Sequence, residues 1–173
     1  MDLFLPLART LPVYLAPANP FFSKNARGRE PMPDTCLFCR MIQGELATPV
    51  VYESEVSFGF LDHRPLFPGH CLLVPRRHIE TLTDLPADLI RPFFADVQLL
   101  TRAVQTTMAA EGSFVAMNNR VSQSVPHLHV HVVPRNRGDG LKGFFWPRTR
   151  YASDAEMEAV QAQIRETIDR LAR

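Results

Sequence analysis

The chain has 173 residues, enough for one domain with a real core and too few to expect two. Its 46% hydrophobic and 21% charged residues are those of an ordinary globular protein, and a formal net charge of +1 shows none of the basic excess of a nucleic-acid scaffold. The three cysteines cannot all pair within one chain, and two stand as Cys36-x-x-Cys39, so a reduced, cytoplasmic setting is expected in place of a disulfide framework.

Met1 to Leu15 is apolar, but Asp2 stands where an export signal would be positive, and Pro6 and Pro12 interrupt the run. Neither an export signal nor a membrane span is expected. Pro17, Pro20, Pro31 and Pro33 continue a proline-rich, weakly patterned segment. Residues 1–31 are therefore read as a poorly ordered N-terminal extension ahead of a domain over 32–173. Asp34 and Thr35 can cap a short helix carrying Cys36 and Cys39, with Gly44 placed to end it. The i, i+3 spacing sets both sulfurs on one helical face, which suits two metal ligands or two buried apolar thiols.

Val50–Glu53 and Val56–Leu61 read as strands around a Ser54-Glu55 turn, with His70–Val74 as a third strand after Pro68-Gly69. Asp62 closes the second strand, where a carboxylate also serves ordinary turn chemistry. From Pro86 the residues Ile90, Phe93, Val97, Leu100, Val104 and Met108 keep a helical period, with Gly112 as the stop. Pro92 inside that run demands a kink or a true start near residue 91. Ser113–Asn118 reads as a strand, and a loop over 119–125 leads to Pro126, where a second apolar run begins.

Between Pro126 and Pro134, His127, His129 and His131 occupy every second position of that apolar run. On an extended strand they point one way while Leu128, Val130 and Val132 point into a core. Next-but-one side chains stand roughly 6–7 Å apart, close enough to surround a phosphate or to share a metal, so nucleophilic catalysis and metal binding both remain open. Beyond the strand, Arg135 to Tyr151 is a long loop. Arg135, Arg137, Lys142, Arg148 and Arg150 are interleaved there with Gly138, Gly140, Gly143 and Trp146, and the cations read as solvated. The last helix opens on a capping box, Ser153 with Glu156. Its stripe of Met157, Val160, Ile164, Ile168 and Leu171 is expected to close the domain.

The run Gln123-Ser124-Val125-Pro126-His127-Leu128-His129-Val130-His131-Val132-Val133 resembles the signature of the histidine triad (HIT) nucleotide-binding family. Cys36-Leu37-Phe38-Cys39, Phe60-Leu61-Asp62, the stretch from Pro68 to Ile79 and Trp146 stand in family order, and the likeness spans about residues 33–173. Among its branches it is most similar to the Hint-like, zinc-containing one. The resemblance implies an α+β fold: a single antiparallel sheet of about five strands with a long central helix and a C-terminal helix, in a homodimer whose sheets join. It also implies a structural zinc on Cys36, Cys39, His78 and His127, a closed set that leaves no position for water.

For the reaction, the resemblance makes His129 the nucleophile toward the phosphorus of a purine nucleotide and gives His131 the developing charge. Asp62 would bind the ribose hydroxyls, with His70, Asn118, Gln123 and Ser124 around the phosphate. The segment over 135–151 would approach the partner subunit's site. One departure is Asn119-Arg120-Val121-Ser122, where the family has a longer, glycine-rich connection. The implied activity is release of a nucleoside monophosphate from an amine or phosphate leaving group through a nucleotidyl-His129 intermediate, chiefly as a purine nucleoside phosphoramidase. Alternatives are a dinucleoside polyphosphate hydrolase, a non-catalytic nucleotide-binding interaction dimer, and a metalloenzyme whose triad holds the metal. Neither nucleic acid nor membrane is expected as a partner.

Overall fold

Short apolar runs that must bury two faces assemble here into one antiparallel sheet. The computed structural model describes residues 35–141 and 150–171, so the extension over 1–31, Asp34 and Trp146 lie outside the described residues. The strands are β1 (Val50–Glu53), β2 (Ser57–Leu61), β3 (Cys71–Pro75), β4 (Gly112–Ala116) and β5 (Val130–Arg135). They lie in the order β1-β2-β3-β5-β4, every neighbouring pair antiparallel. Among the described residues three α-helices accompany them, α1 (Leu37–Ile42), α2 (Ala87–Thr107) and α3 (Asp154–Leu171), with a 3-10 turn at Leu82–Asp84. The expected α+β architecture is therefore the observed one. No helix among the described residues is long and apolar enough to cross a membrane.

The pleat of β3 explains why the sheet is covered on both sides. Cys71 and Leu73 face α2 and pack with Phe93, Val97, Leu100, Val104, Leu128, Val130 and Val132. Leu72 and Val74 face the other way, onto Cys36, Phe38, Cys39 and Ile42 of the α1 segment and onto Phe58 and Phe60 of β2. Phe93 is fully buried at the centre of the α2 layer, where truncation to Ala costs about 3–5 kcal/mol. Ile90 and Met108, on the same helical period, are exposed because they stand at the ends of α2, beyond the sheet.

Helix boundaries depart from expectation in places. α2 begins at Ala87, directly after Pro86, so Pro92 lies inside the helix and the start near residue 91 does not occur. It ends at Thr107, not Gly112. Ala109 adopts the left-handed conformation (φ 48°), its amide donates to Thr106 and that of Ala110 to Gln105, closing the helix as a Schellman turn without glycine. α1 ends in the same way with Gly44 (φ 79°), as the sequence indicates. Its N-cap is Cys36, with no side-chain cap bond and no capping role for Thr35.

Two further differences concern the C-terminal half. Regular pairing of the triad strand starts only at Val130, so His127, at a bend where its amide donates to the Val125 carbonyl, and His129 precede β5 on an irregular approach, and β5 continues through Pro134 to Arg135. Pairing with β3 stops at Val132, leaving Pro134 with a neighbour only on the β4 side, where a missing N–H is tolerated. α3 buries no residue. Met157, Ile164, Ile168 and Leu171 are exposed, so the helix does not close the domain. Half of its capping box forms: the Glu156 amide donates to Ser153 Oγ, while the Glu156 carboxylate accepts from Ala152 N–H, one residue earlier than the reciprocal bond would be. Amphipathic period identifies an apolar face but not the surface that covers it.

Candidate functional site

The face of the sheet covered by α1 carries all the chemistry-bearing residues, arranged in two adjoining groups. In the first, Cys36 and Cys39 project from one side of α1, as their spacing requires, into the layer beneath. A hydrogen bond from the Leu128 amide to the Ile79 carbonyl (2.6 Å) draws the approach to β5 alongside residues 78–79, so that His127 meets His78, with ring centroids 5.1 Å apart. One ligand atom from each of Cys36, Cys39, His78 and His127 then lies within 4.8 Å of all the others. His127 Nδ1 is 3.4 Å from Cys36 Sγ and 3.7 Å from Cys39 Sγ, and His78 Nδ1 is 3.4 Å from Cys39 Sγ.

The protonation of this group follows from its surroundings. His127 is fully buried, and burial lowers its pKa to about 4 against an opposing contribution from the Pro75 carbonyl. The neutral ring donates from Nε2 to that carbonyl at 2.8 Å, so the Nδ1 lone pair is the one turned toward the sulfurs. Burial, reinforced by Cys36, pushes the Cys39 thiol up to about 12. Two adjacent buried thiolates would repel each other, and a cation among them reverses that balance. The four residues could hold a metal ion, and two thiolates with two imidazoles are a donor set that zinc favours.

The second group is made of His129, His131, His70 and Asp62. His129 is only 3% exposed, wedged edge-on against Phe38 (centroids 5.4 Å) and His131 (5.1 Å), so it does not lie on an open face. Its Nδ1 stands 2.7 Å from the His127 carbonyl, which can only accept; the ring therefore donates there and keeps its lone pair on Nε2. His131 is flanked by Leu72 of β3 and Ala116 of β4, and its Nδ1 is 3.0 Å from His70 Nε2. Burial, with His129 and His70 beside it, lowers the His131 pKa to about 4; burial also lowers that of His70, against Asp62. Asp62, His70 and His131 likewise bring one ligand atom each within 4.8 Å of one another.

The remaining sequence-predicted residues divide by what holds them. Asp62 Oδ1 accepts the Arg64 amide at 2.8 Å, which is the turn role, while Oδ2 sits 3.6 Å from His70 Nδ1. Gln123 is occupied at both ends of its amide, accepting from Arg120 N–H and donating to the Glu80 carbonyl, each at 2.7 Å, and so fastens the loop over 119–122. Asn118 is exposed and donates to the Ser122 carbonyl at 3.2 Å; Ser124 is exposed at the end of the same loop. Groups that the sequence does not point out are Phe38, the wall of the triad, and three backbone groups that fix ring orientations: the Pro75 and His127 carbonyls, and the Leu66 amide, which donates to His70 Nδ1. Backbone partners leave no residue signature.

A domain of one antiparallel sheet with a histidine at every second residue, set beside a Cys/His cluster, defines a recognisable class. The HIT-domain family model matches residues 43–138, and the chain belongs to the HIT family. It is 34% identical over 131 residues to the Bacillus subtilis protein called hit, covering 74% of this chain and 88% of that one. Among solved structures it is similar to SMU.412c of Streptococcus mutans, with a TM-score of 0.71 and 28% identity over 79% of this chain and 87% of that chain. A zinc-bound histidine triad protein of Mycobacterium smegmatis superposes with a TM-score of 0.59 at 34% identity, over 77% of this chain and 97% of that one.

Proposed function

We propose that the chain hydrolyses a purine nucleoside phosphoramidate through a nucleotidyl-His129 intermediate. The observation that carries this reading is the hydrogen bond from His129 Nδ1 to the His127 carbonyl, which commits the ring to a free Nε2 lone pair. Membership of the HIT family supports nucleotide hydrolysis as the general activity. Relatives near this identity include an adenosine 5'-monophosphoramidase of Candida albicans (32%), an adenylylsulfatase of Arabidopsis thaliana (30%) and an asymmetrical bis(5'-nucleosyl)-tetraphosphatase of Schizosaccharomyces pombe (30%). The last of these favours a second reading, hydrolysis of a dinucleoside polyphosphate by the same steps.

In the proposed reaction His129 Nε2 attacks the phosphorus and the bond from phosphorus to the amine breaks. The amine leaves with the electron pair and takes up a proton. Water then attacks the same phosphorus, the bond to Nε2 breaks, the monophosphate departs and the water's proton passes to solvent. His131 would donate a hydrogen bond to a phosphoryl oxygen, with the Ser124 hydroxyl and Asn118 amide available at the loop, the kind of preorganised donation that is worth most where charge develops. Asp62 would accept from the ribose hydroxyls. Gln123 would act by holding the loop. A zinc ion on Cys36, Cys39, His78 and His127 would contribute binding energy to the fold and no step to the reaction.

A homodimer is part of the same reading, since α3 leaves its apolar stripe uncovered in the single chain. So is a functional domain over 32–173, to which residues 1–31 add little. The test is a parallel assay of a purine nucleoside phosphoramidate and a diadenosine polyphosphate, with acid-quenched samples weighed by intact-protein mass spectrometry. A nucleotidyl adduct on His129 and faster turnover of the phosphoramidate are expected. An adduct and turnover with the polyphosphate alone would transfer the assignment to the second reading, and neither adduct nor turnover with either substrate would leave a nucleotide-binding protein without this chemistry.

A further inference from the structure

We infer that His70 is a positioning residue that sets the tautomer of His131, through a one-way chain of hydrogen bonds that starts at the Leu66 backbone amide. The inference rests on the role proposed above for His131, but its geometry stands independently. His70 is 3% exposed and both of its ring nitrogens are engaged by the protein, so it has no nitrogen left for a phosphate. The Leu66 amide donates to His70 Nδ1 at 3.2 Å. An amide cannot accept, so Nδ1 carries the lone pair and the proton of the neutral ring is on Nε2. That Nε2–H points at His131 Nδ1, 3.0 Å away, which must accept it; the proton of His131 is thereby placed on its own Nε2.

The opposite polarity has a visible candidate, and the distances decide against it. Were His70 protonated on Nδ1 toward the Asp62 carboxylate, His70 Nε2 would accept and His131 would be protonated on Nδ1. Asp62 Oδ2 is 3.6 Å from His70 Nδ1, beyond hydrogen-bond reach, while the Leu66 amide occupies that nitrogen. The loop that presents the amide is itself tied at several points. The Asp62 amide donates to the His70 carbonyl, the His70 amide to the Phe67 carbonyl, and the Arg64 amide to Asp62 Oδ1. Gly69 turns the chain at φ +88°, where a Cβ would also come within 2.6 Å of the Met108 side chain. The amide is thus fixed by the fold.

The result is two neighbouring imidazoles of opposite character. His129 shows a lone pair and His131 an N–H, which fits an electrophilic phosphorus bearing anionic oxygens. The experiment uses the full chain with ¹⁵N-labelled histidine, metal-replete, and reads tautomers from two- and three-bond ¹H–¹⁵N correlations of each ring. Wild type is expected to show His70 and His131 both protonated on Nε2. His70→Ala should release His131 into a mixture of tautomers and lower kcat roughly 10–100-fold, with KM changed less. His70→Gln, whose amide N–H can replace the Nε2–H donor, should restore the tautomer and part of kcat, and His70→Glu should not. His131 protonated on Nδ1 in the wild type, or still on Nε2 in a folded His70→Ala protein, would overturn the inference. The predicted tautomers in a wild-type protein that turns over no nucleotide would uphold it and count against the proposed reaction instead.

Discussion

The two histidine groups beneath α1 share a construction principle and differ in outcome. In each, a backbone group decides which ring nitrogen is free. The Pro75 carbonyl takes the Nε2 proton of His127 and turns its Nδ1 lone pair toward two sulfurs, so lone pairs converge on one point, as a cation requires. The His127 carbonyl and the Leu66 amide act on His129 and His70 so that a lone pair and an N–H stand side by side. A run of three like residues at even spacing therefore yields one candidate ligand, one candidate nucleophile and one candidate donor. Residue type is common to all three, and the hydrogen bond on the far side of each ring separates them.

Replacing the proposed nucleophile should break that division most severely. His129→Ala is expected to lower turnover of a nucleoside phosphoramidate by about 10⁴-fold or more, as removal of covalent nucleophiles does elsewhere. Because the ring is buried against Phe38, the melting temperature should fall too, although the site-facing residues of the loop are unaffected. Near-normal turnover in this variant, with loss of activity and metal in His127→Ala and His131→Ala, would make the whole triad a metal site.

The converging group should respond in stability and metal content before turnover. Cys36→Ala combined with Cys39→Ala should remove about one equivalent of zinc per chain and several kcal/mol of stability, since metal binding energy is folding energy in a closed site. Retention of the metal and an unchanged melting temperature in the double variant would show that the sulfurs are only packing groups.

A smaller effect is expected at Asp62, the proposed ribose contact. Asp62→Asn keeps an acceptor for the Arg64 amide and removes only the charge and one acceptor oxygen. It should raise KM for a ribonucleotide about tenfold while sparing the 2'-deoxy analogue. Equal losses on both sugars would return Asp62 to a purely turn-forming role.

The remaining effect is on stability and depends on pH. Burial holds His131 neutral to about pH 4, whereas an unfolded histidine takes its proton near 6.5. Between those values the unfolded chain binds a proton that the folded chain refuses. Stability should therefore fall as pH is lowered through that window, with no further contribution from this group above it. Denaturant titrations of wild type and His131→Gln across pH 4–7 should show a shallower slope in the variant; identical slopes would remove His131 as the source.

How much of this was legible in the sequence depended on whether the determinant was a side chain. The alternation that sets Leu128, Val130 and Val132 against α2 was readable, as were the meander and the proximity of Cys36 to Cys39, because side-chain period is a local property. The burial of His129 was not, since it depends on Phe38 arriving from α1, some ninety positions away in the chain. Nor was the end of α2: Gly112 looked like the stop, but Ala109 accepted the left-handed turn and released Gly112 to begin β4. The apolar stripe of α3 is legible in the sequence as another local period, whereas the surface that would cover it is not.

The strand order also bears on how the site comes into being. β1, β2 and β3 can form a local meander as the chain emerges, but β4 has no partner among them and waits for β5, which inserts between β3 and β4. Pairing of Leu72 with His131 joins positions about 60 residues apart, a loop closure that must precede any favourable contact across it. The strand bearing His131 is thus the keystone of the sheet and, among the described strands, the last in chain order. A nascent or truncated chain lacking it would expose the unpaired edges of β3 and β4 and would lack the proposed nucleotide site, so a ligand there could not template assembly and could only trap the finished sheet.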